Sequence, residues 1–301
     1  MPLQSQLHVD QLLSNVSVAY RNTAFIHDRV FPMVPVKKTS DVYRTYTRAW
    51  QIPDTARAVG GLANVHDFQV GTASYRLEKH ALKSFVPDTA AENYDITDLR
   101  ADTTIELTEK IMMRKEKSCA DQFLTNTSWS LGVSLAAGDT WLTGSAAPIP
   151  LFDTAVATVM GQAGVKPNYG IIPIQSYIPL KNHTTVVDRV KYTSKEINEA
   201  IVGALIGLPE LLVPNVNYDS GAVGATSVIA PIWKDEFAFV GYKPGSAGFY
   251  QLSAGYMFQK AKNLVRRWRE EEREAEAIEL DVEYQFKIVA SLAGYYINNT
   301  I

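Results

Sequence analysis

The alternation of apolar and polar residues is most regular near the C-terminus, between Ile278 and Ile288. Every even-numbered position there is apolar, and every odd-numbered position is polar or charged. This pattern predicts a β-strand with one buried face and one face in water. At roughly 3.3 Å per residue the strand is about 35 Å long, twice the usual length. We therefore expect an equally extended partner strand, or a neighbouring subunit, to cover it.

Residues 264–279, which lead into this strand, carry conflicting signals. Residues 270–277 are rich in Glu and Ala, which favour a helix, whereas the flanking residues favour strands. We predict a hairpin in which residues 263–272 pair with the long strand and the charged residues form a solvent-exposed turn. A continuous helix through residues 270–277 is the alternative, and it would contradict this pairing.

Residues 95–126 repeat apolar side chains at helical spacing, which predicts a long amphipathic helix. Asp98 is placed to cap its N-terminus. Cys119 lies on the apolar stripe together with Met112 and Phe123. A thiol in that position is expected to be a buried packing group rather than a nucleophile.

The first third of the chain divides into an arm and a hairpin. Residues 1–35 show no sustained period and run into a proline-containing segment that cannot continue a helix, so we predict an extended arm. Residues 42–50 and 75–85 are strand-like and flank a polar, glycine-containing tip. Hairpin arms of about 30 Å would project beyond a compact body, and an isolated two-stranded ribbon is marginally stable in water. We therefore expect the hairpin to lie on another copy of the chain; a hairpin folded onto its own sheet is the alternative.

Charged and aromatic side chains of this hairpin are the candidates for inter-subunit contacts. Opposite charges are interspersed along it, a mixture that can dock on a complementary neighbour. Ordinary surface charge is the alternative interpretation. The candidate residues are Arg44, Arg48, Trp50, Asp54, Arg57, Asp67, Arg76 and Glu78.

The second half of the chain alternates short helices and strands, which indicates a mixed α+β fold. A short helix is predicted at residues 151–162, ending at Gly164. Beyond it, strands are predicted at residues 169–174, 211–217 and 236–242, and an apolar helix capped by Ser194 at residues 194–206.

The composition narrows the classes of function. The 301-residue chain carries 29 basic and 32 acidic residues, a net charge of -3. Strong DNA binding depends on neutralising phosphates, so this balance argues against a dedicated nucleic-acid-binding protein. The single cysteine excludes an internal disulfide framework and zinc sites built on paired cysteines. The longest apolar run, residues 200–208, is far shorter than the ~20 residues of a membrane-spanning helix, so no membrane association is expected.

The sequence carries no recognisable catalytic pattern. The five histidines are scattered without the spacing of metal ligands, and the nucleophile elbow, the P-loop and the dinucleotide-binding glycine motif are missing. We therefore predict no catalytic residue, no cofactor and no metal site, and expect that the protein is not an enzyme. The remaining alternative of this class is an α+β enzyme without known motifs, whose pocket would be lined by Asn215, Asn217, Tyr218 and Asp219.

Short segments, taken in their order along the chain, carry a resemblance to a known family. They are RNTAFIHDRVFPMVPV at residues 21–36, VKPN at 165–168, IWKD at 232–235, AGYMF at 254–258 and AGYYI at 293–297. Together with the long helix and the final alternating strand, they make the chain similar to the major capsid proteins of tailed bacteriophages, which have the Hong Kong 97-like fold. The resemblance spans nearly the whole chain.

The resemblance implies an α+β fold made of an N-terminal arm, an extended E-loop hairpin, a peripheral domain with a long spine helix and long strands, and a mixed α/β axial domain. The implied boundaries are residues 1–35 for the arm, 36–90 for the E-loop, 91–165 and 256–287 for the peripheral domain, with the spine helix at about 95–126, and 166–255 and 288–301 for the axial domain.

The resemblance also implies a structural function. Many copies, arranged as pentamers and hexamers, would form an icosahedral head shell around double-stranded DNA, which is held by confinement rather than by sequence reading. The shell would assemble in the host cytoplasm and persist as the virion capsid. A portal and a separate scaffolding protein are the implied partners, a decoration protein is an optional one, and no processing of this chain is expected because the arm begins almost at Met1. A nanocompartment shell protein, which shares the fold, is the alternative.

Some relatives in this family cross-link a loop lysine to an asparagine of a neighbouring subunit. The hairpin between Arg44 and Glu78 contains no lysine. We therefore expect a shell without covalent cross-links, held by contacts of the loop and the arm.

Overall fold

The structure is a computed structural model that describes residues 25–46, 52, 54–57, 60–65, 70–92, 98–124, 128–136, 138–142, 147–191, 197–221, 224, 226–233, 236–246, 251–260 and 264–301. The helices are α1 (His27–Val30), α2 (Asp88–Glu92), α3 (Leu99–Phe123), α4 (Pro148–Ala163), α5 (Ile174–Asn182), α6 (Thr184–Val190) and α7 (Glu199–Leu205). The first strands are β1 (Met33–Val36), β2 (Ser40–Tyr46), β3 (Val70–Arg76), β4 (Glu78–Pro87), β5 (Leu131–Ser134), β6 (Tyr169–Ile171) and β7 (Glu210–Leu212). The later strands are β8 (Asn217–Asp219), β9 (Ile229–Pro231), β10 (Phe237–Gly241), β11 (Gly255–Lys260), β12 (Leu264–Glu270), β13 (Ala275–Ile288) and β14 (Gly294–Asn298).

The first sheet is built around the long strand β13, which is 14 residues long. On one edge, β13 pairs with β12 and then with β11, both antiparallel, and β1 adds to β11 in parallel. On the other edge it pairs antiparallel with the ten-residue β4. The predicted long strand and its predicted partner at residues 263–272 are confirmed. The pairing with β4 explains the length of β13, because both of its edges are covered by hydrogen-bonded neighbours.

The charged stretch before β13 forms a turn, as predicted. A short 3₁₀ segment, Glu271–Arg273, joins β12 to β13, and Glu274 follows with a left-handed φ of 45°. Residues 271–274 are all exposed. The alternative of a continuous helix is therefore wrong, because strand pairing on both sides outweighs the helix propensity of the intervening glutamates.

The predicted hairpin is shorter than expected. Strands β2 and β3 pair antiparallel over seven residues each, from the Ser40–Arg76 pair to the Tyr46–Val70 pair. The predicted second arm, residues 75–85, is divided at Leu77, after which the chain joins the first sheet as β4. The prediction of one continuous arm was wrong because an alternating pattern reveals a strand without revealing its partner. Residues 47–50, at the end of the predicted first arm, lie outside the described residues.

Helix α3 lies against β13 and β4. It begins where predicted, since the side chain of Asp98 accepts a hydrogen bond of 3.0 Å from the backbone N–H of Arg100. Cys119 is fully buried, as predicted. The buried face also includes Thr104 and Thr108, whose hydroxyls donate to backbone carbonyls one turn earlier and are thereby satisfied without water.

The second sheet has the strand order β5-β14-β10-β6-β7 and packs against α4. The predicted strand at residues 236–242 and the helix at residues 151–162 are confirmed, and Gly164 ends α4 in the left-handed conformation. The strand predicted at residues 169–174 is confirmed for residues 169–171 only, because α5 already begins at Ile174. The helix predicted at residues 194–206 begins later, at Glu199, and its N-cap is Asn198, which accepts from the backbone N–H of Ile201. Ser194, the predicted cap, lies outside the described residues.

In and around the second sheet, the observed elements differ from the predicted ones in three further respects. The predicted strand at residues 211–217 is two short strands, β7 and β8, that belong to different sheets. Strand β5 lies in a stretch without a clear pattern and pairs in parallel with β14. Helices α5 and α6 were not predicted, because they are short and α5 contains Pro179 in its interior.

Candidate assembly interface

The hairpin β2–β3 has two faces of different character. The cross-strand register places Arg44 and Arg76 on the same face, and every described side chain on that face is exposed, including Val42 at 59%. The opposite face packs on the first sheet, where the rings of Tyr43 and Tyr75 lie 5.5 and 4.7 Å from the ring of Phe258. The base of the hairpin is therefore fixed to its own subunit, while one face remains open.

The loop between β2 and β3 contains two candidate residues that shape the loop itself. The carboxylate of Asp54 accepts a hydrogen bond of 2.9 Å from the backbone N–H of Ala56, and the guanidinium of Arg57 donates to the carbonyl of Gly61 at 2.6 Å. The side-chain amide of Asn64 donates to the carbonyl of Asp54 at 2.7 Å. These charged side chains therefore organise the loop, in addition to being exposed.

The remaining candidate residues for inter-subunit contact lie in the hairpin, in the first sheet, or outside the residues that the structure describes. Glu78 is exposed and begins β4, so it belongs to the first sheet rather than to the hairpin. Arg76 is exposed, and its backbone N–H donates to the side chain of Gln285. Arg48, Trp50 and Asp67 lie outside the described residues.

Three apolar side chains in the hairpin loop were missed by the sequence analysis. Ile52, Leu62 and Val65 are 94%, 96% and 91% exposed. They do not follow a helical or strand period, so the sequence carries no periodic signal for them. Large apolar side chains with this exposure add little to the packing of their own subunit, so they are candidates for contact with another molecule.

The polar face of β13 is covered by ion pairs rather than by water alone. The carboxylate of Asp281 is 2.6 Å from the guanidinium of Arg266 and 2.9 Å from the ammonium of Lys79, and only 4% of Asp281 is exposed. Glu283 pairs with Lys260 at 2.5 Å. Cations from neighbouring strands on both edges thus neutralise the acidic positions of the central strand, which stiffens the sheet on the side away from α3.

A buried carboxylate lies where α1, α3 and the second sheet meet. Glu116 of α3 is fully buried and accepts hydrogen bonds from the backbone N–H of Ile26 at 3.2 Å and of His27 at 3.0 Å. His27 Nδ1 is 2.7 Å away, and the indole N–H of Trp233 donates at 2.6 Å. The sequence carries no signal for this cluster, because its donors are distant in the sequence and two of them are backbone groups.

The segment that supplies two of these donors, residues 25–31, is also held elsewhere. Arg29 forms hydrogen bonds with Glu210 at the start of β7, and Lys243 pairs with the same carboxylate at 2.8 Å. The ring of Phe31 is fully buried against Gly255, where an added Cβ would lie 2.0 Å from Phe31 Cε1. The predicted extended arm is therefore wrong for residues 25–31, which pack into the core; residues 1–24 lie outside the description.

The polar residues considered for an enzyme pocket serve a hairpin turn instead. The carboxylate of Asp219 accepts hydrogen bonds from the backbone N–H groups of Gly221 at 2.8 Å and Val228 at 2.9 Å, which closes the connection between β8 and β9. Asn215 and Asn217 are exposed, and Tyr218 is half-buried. Asp219 therefore shapes the turn between β8 and β9, and the alternative of a pocket lined by these four residues stays a prediction.

Groups that could carry other chemistry are scarce in the part of the chain that the structure describes. Within it, no cluster of three or more His, Cys, Asp or Glu side chains could hold a metal ion. Burial raises the pKa of the Cys119 thiol well above its usual range. None of the described helices combines the length and the apolar character that crossing a membrane requires.

Comparison with known proteins gives a consistent result. No protein-family model matches the chain. The chain is 24% identical over 306 residues to the major capsid protein of Burkholderia phage BcepMu, covering 96% of both proteins. The crystal structure of a phage-related protein from Bordetella bronchiseptica RB50 superposes with a TM-score of 0.80 at 21% identity, covering 98% of both chains. The capsid of cyanophage P-SCSP1u superposes with a TM-score of 0.63 at 12% identity, covering 99% of this chain and 92% of that one.

These similarities bear directly on the fold. The superpositions extend over almost the entire chain and include a phage capsid. The mixed α+β architecture and the predicted Hong Kong 97-like capsid fold are confirmed, and so is the predicted resemblance to phage major capsid proteins.

Proposed function

We propose, from the capsid fold and the full-length similarity to phage major capsid proteins, that this chain is the structural subunit of an icosahedral phage head shell. The observation that carries the proposal is the match to a curated major capsid protein along 96% of both chains. A relationship that spans the whole length, rather than one domain, supports the same overall role. In the virion, the protein would therefore be located in the capsid shell.

The geometry of the subunit suits a building block. Helix α3 and strand β13, the longest helix and the longest strand of the described chain, lie together and have 25 and 14 residues. The ion pairs of Asp281 and Glu283 tie β13 to its neighbours. A stiff frame of this kind transmits contacts between subunits without deforming.

The open face of the hairpin and its loop are the proposed contact surface with a neighbouring subunit. The exposed charges of Arg44, Asp54, Arg57 and Arg76 would supply electrostatic complementarity at its rim. Burial of the exposed apolar loop residues would supply the larger part of the free energy. The contact is thus proposed to combine an apolar centre with a charged rim, as protein interfaces commonly do.

The finer organisation follows the same proposal. The arm, implied at residues 1–35, would be limited to residues 1–24, because residues 25–31 pack into the core. The other implied ranges are kept: 36–90 for the E-loop, 91–165 and 256–287 for the peripheral domain, and 166–255 and 288–301 for the axial domain. Subunits would form pentamers and hexamers in the host cytoplasm with a separate scaffolding protein and a portal, and then enclose double-stranded DNA. A decoration protein is an optional additional partner.

The proposal is tested by purifying the expressed protein and examining it by size-exclusion chromatography and negative-stain electron microscopy. Closed shells or capsomer-sized rings are the expected result. Nuclease-protected DNA inside particles from infected cells would support a phage head, whereas a packaged cargo enzyme would identify a nanocompartment. A small, monodisperse particle that does not assemble with a scaffolding protein would overturn the proposal.

A further inference from the structure

The buried carboxylate of Glu116 receives all of its hydrogen bonds in the described structure from two separate parts of the chain. One part is residues 25–31, through the backbone N–H groups of Ile26 and His27 and the ring of His27. The other part is the loop before β10, through the indole N–H of Trp233. Glu116, His27 and Trp233 are 0%, 1% and 2% exposed, so water does not replace a donor that leaves.

A buried carboxylate is stable only while its donors are in place. Removing one of them leaves a desolvated charge with fewer partners, and that cost falls on the whole cluster. The cost makes the two parts of the chain depend on each other. When the indole of Trp233 is hydrogen-bonded to Glu116, the carboxylate is fixed in the position that accepts from the N–H groups of residues 25–31. In the same way, the bonds from residues 25–31 fix the carboxylate for Trp233. Hydrogen bonds that share one acceptor in a dry interior are coupled in this way.

The position of the cluster gives this dependence a structural meaning. Residues 25–31 lead directly into β1 of the first sheet, whereas Trp233 precedes β10 near the centre of the second sheet. A second contact, between Arg29 and Glu210 of β7, joins the same segment to the same sheet. The segment therefore lies between the two sheets and touches α3 as well.

We propose that Glu116 is a positioning residue that couples the seating of residues 25–31 to the seating of Trp233, and so links the N-terminal segment to the second sheet. Coupling of this kind is reciprocal, because each side changes the stability of the other by the same free energy. In its application to a shell, the inference rests on the proposed function: a neighbouring copy that holds the chain before Phe25 would thereby stabilise the second sheet. The coupling itself is a property of one subunit.

The test uses hydrogen exchange measured by mass spectrometry on the full-length protein. Trp233→Phe removes one donor and keeps the aromatic ring. We expect the backbone amides of Ile26 and His27 to exchange at least ten-fold faster in this variant. The matched control is Trp141→Phe, a buried tryptophan whose indole N–H has no hydrogen-bond partner in the described structure, and it should leave these amides unchanged.

The reciprocal experiment uses His27→Ala and follows the peptides that contain Ile232 and Phe237. Faster exchange there supports the coupling. In a Glu116→Gln background, Trp233→Phe should add little to the exchange of residues 25–31, since the shared acceptor is already altered.

Equal acceleration of residues 25–31 by Trp233→Phe and Trp141→Phe would show general destabilisation and overturn the inference, as would no acceleration in either. These measurements need no shell. A protein that shows the coupling and never assembles would refute the proposed function alone.

Discussion

Replacing the three exposed apolar residues of the hairpin loop with serine should impair the shell and leave the subunit intact. Ile52, Leu62 and Val65 are more than nine-tenths exposed, so they contribute almost nothing to the fold of their own subunit. If a neighbour covers them, their burial stabilises the assembly instead. The triple variant Ile52→Ser, Leu62→Ser and Val65→Ser therefore separates the two properties.

The magnitude follows from the area that these side chains expose. Full burial of one aliphatic side chain of this size is worth about 1.5–3 kcal/mol, so three provide roughly 5–9 kcal/mol per hairpin as an upper bound. Ordering the loop and incomplete burial reduce this figure. Even about 2–3 kcal/mol per contact changes the contact equilibrium by roughly 30- to 160-fold, and a shell repeats the contact many times.

The assay compares urea-induced dissociation of shells with unfolding of the isolated subunit. We expect the serine variant to form no shells, or shells that dissociate at much lower urea, while circular dichroism and the unfolding midpoint of the subunit stay within experimental error. The control variant, Ile52→Val, Leu62→Ile and Val65→Ile, keeps the apolar character and should assemble normally. Unchanged dissociation of the serine variant would refute the assignment of this loop as a contact surface.

Three further outcomes follow from the structure. Gly255→Ala should lower the free energy of unfolding, measured by urea denaturation, by about 1–3 kcal/mol, because its Cβ would lie 2.0 Å from Phe31 Cε1 and 2.8 Å from the carbonyl of Lys287; an unchanged free energy of unfolding would contradict the packing of residues 25–31. Asp98→Ala should cost about 1 kcal/mol by removing the cap of α3, measured in the same way, whereas Asp98→Asn should cost less. The thiol of Cys119 should react with a thiol reagent at pH 8 only after denaturation, because burial blocks access and raises its pKa; rapid reaction of the native protein would argue against its burial.

The longest elements could be predicted because their patterns are local. The alternation from Ile278 to Ile288 identified β13, and the cap at Asp98 located the start of α3 within the predicted range. The hairpin turn at Glu271–Arg273 was resolved correctly because strands on both sides constrained it. In each case a period or a capping residue within a few positions carried the information.

The pairing of β13 with β4 could not be predicted in the same way. A strand pattern shows which face is buried, but it does not identify the neighbour that supplies the hydrogen bonds. The pattern of residues 75–85 was therefore interpreted as one arm of a hairpin, although the chain changes partner at Leu77. The short strand β5 was missed for a related reason, because four residues are too few to establish a period.

The contacts of Glu116 were hidden because charged residues on a helix normally indicate its solvent-exposed face. Lys115 and Glu116 are both buried in α3, where tertiary partners satisfy them. The ammonium of Lys115 donates to Gln259 at 2.9 Å and lies 3.6 Å from the carboxylate of Asp28, and Glu116 accepts from His27 and Trp233. These partners are far away in sequence. Burial of such a pair becomes apparent only when the tertiary structure brings its donors together.

Single-particle cryo-electron microscopy of the purified assembly will show whether this chain builds a closed shell. We expect icosahedral particles in which the open face of the hairpin β2–β3 lies on an adjacent subunit and Ile52, Leu62 and Val65 are buried in that contact. A preparation that contains only small particles under all assembly conditions, or shells in which the open face of the hairpin and its loop remain in solvent, would contradict this assignment.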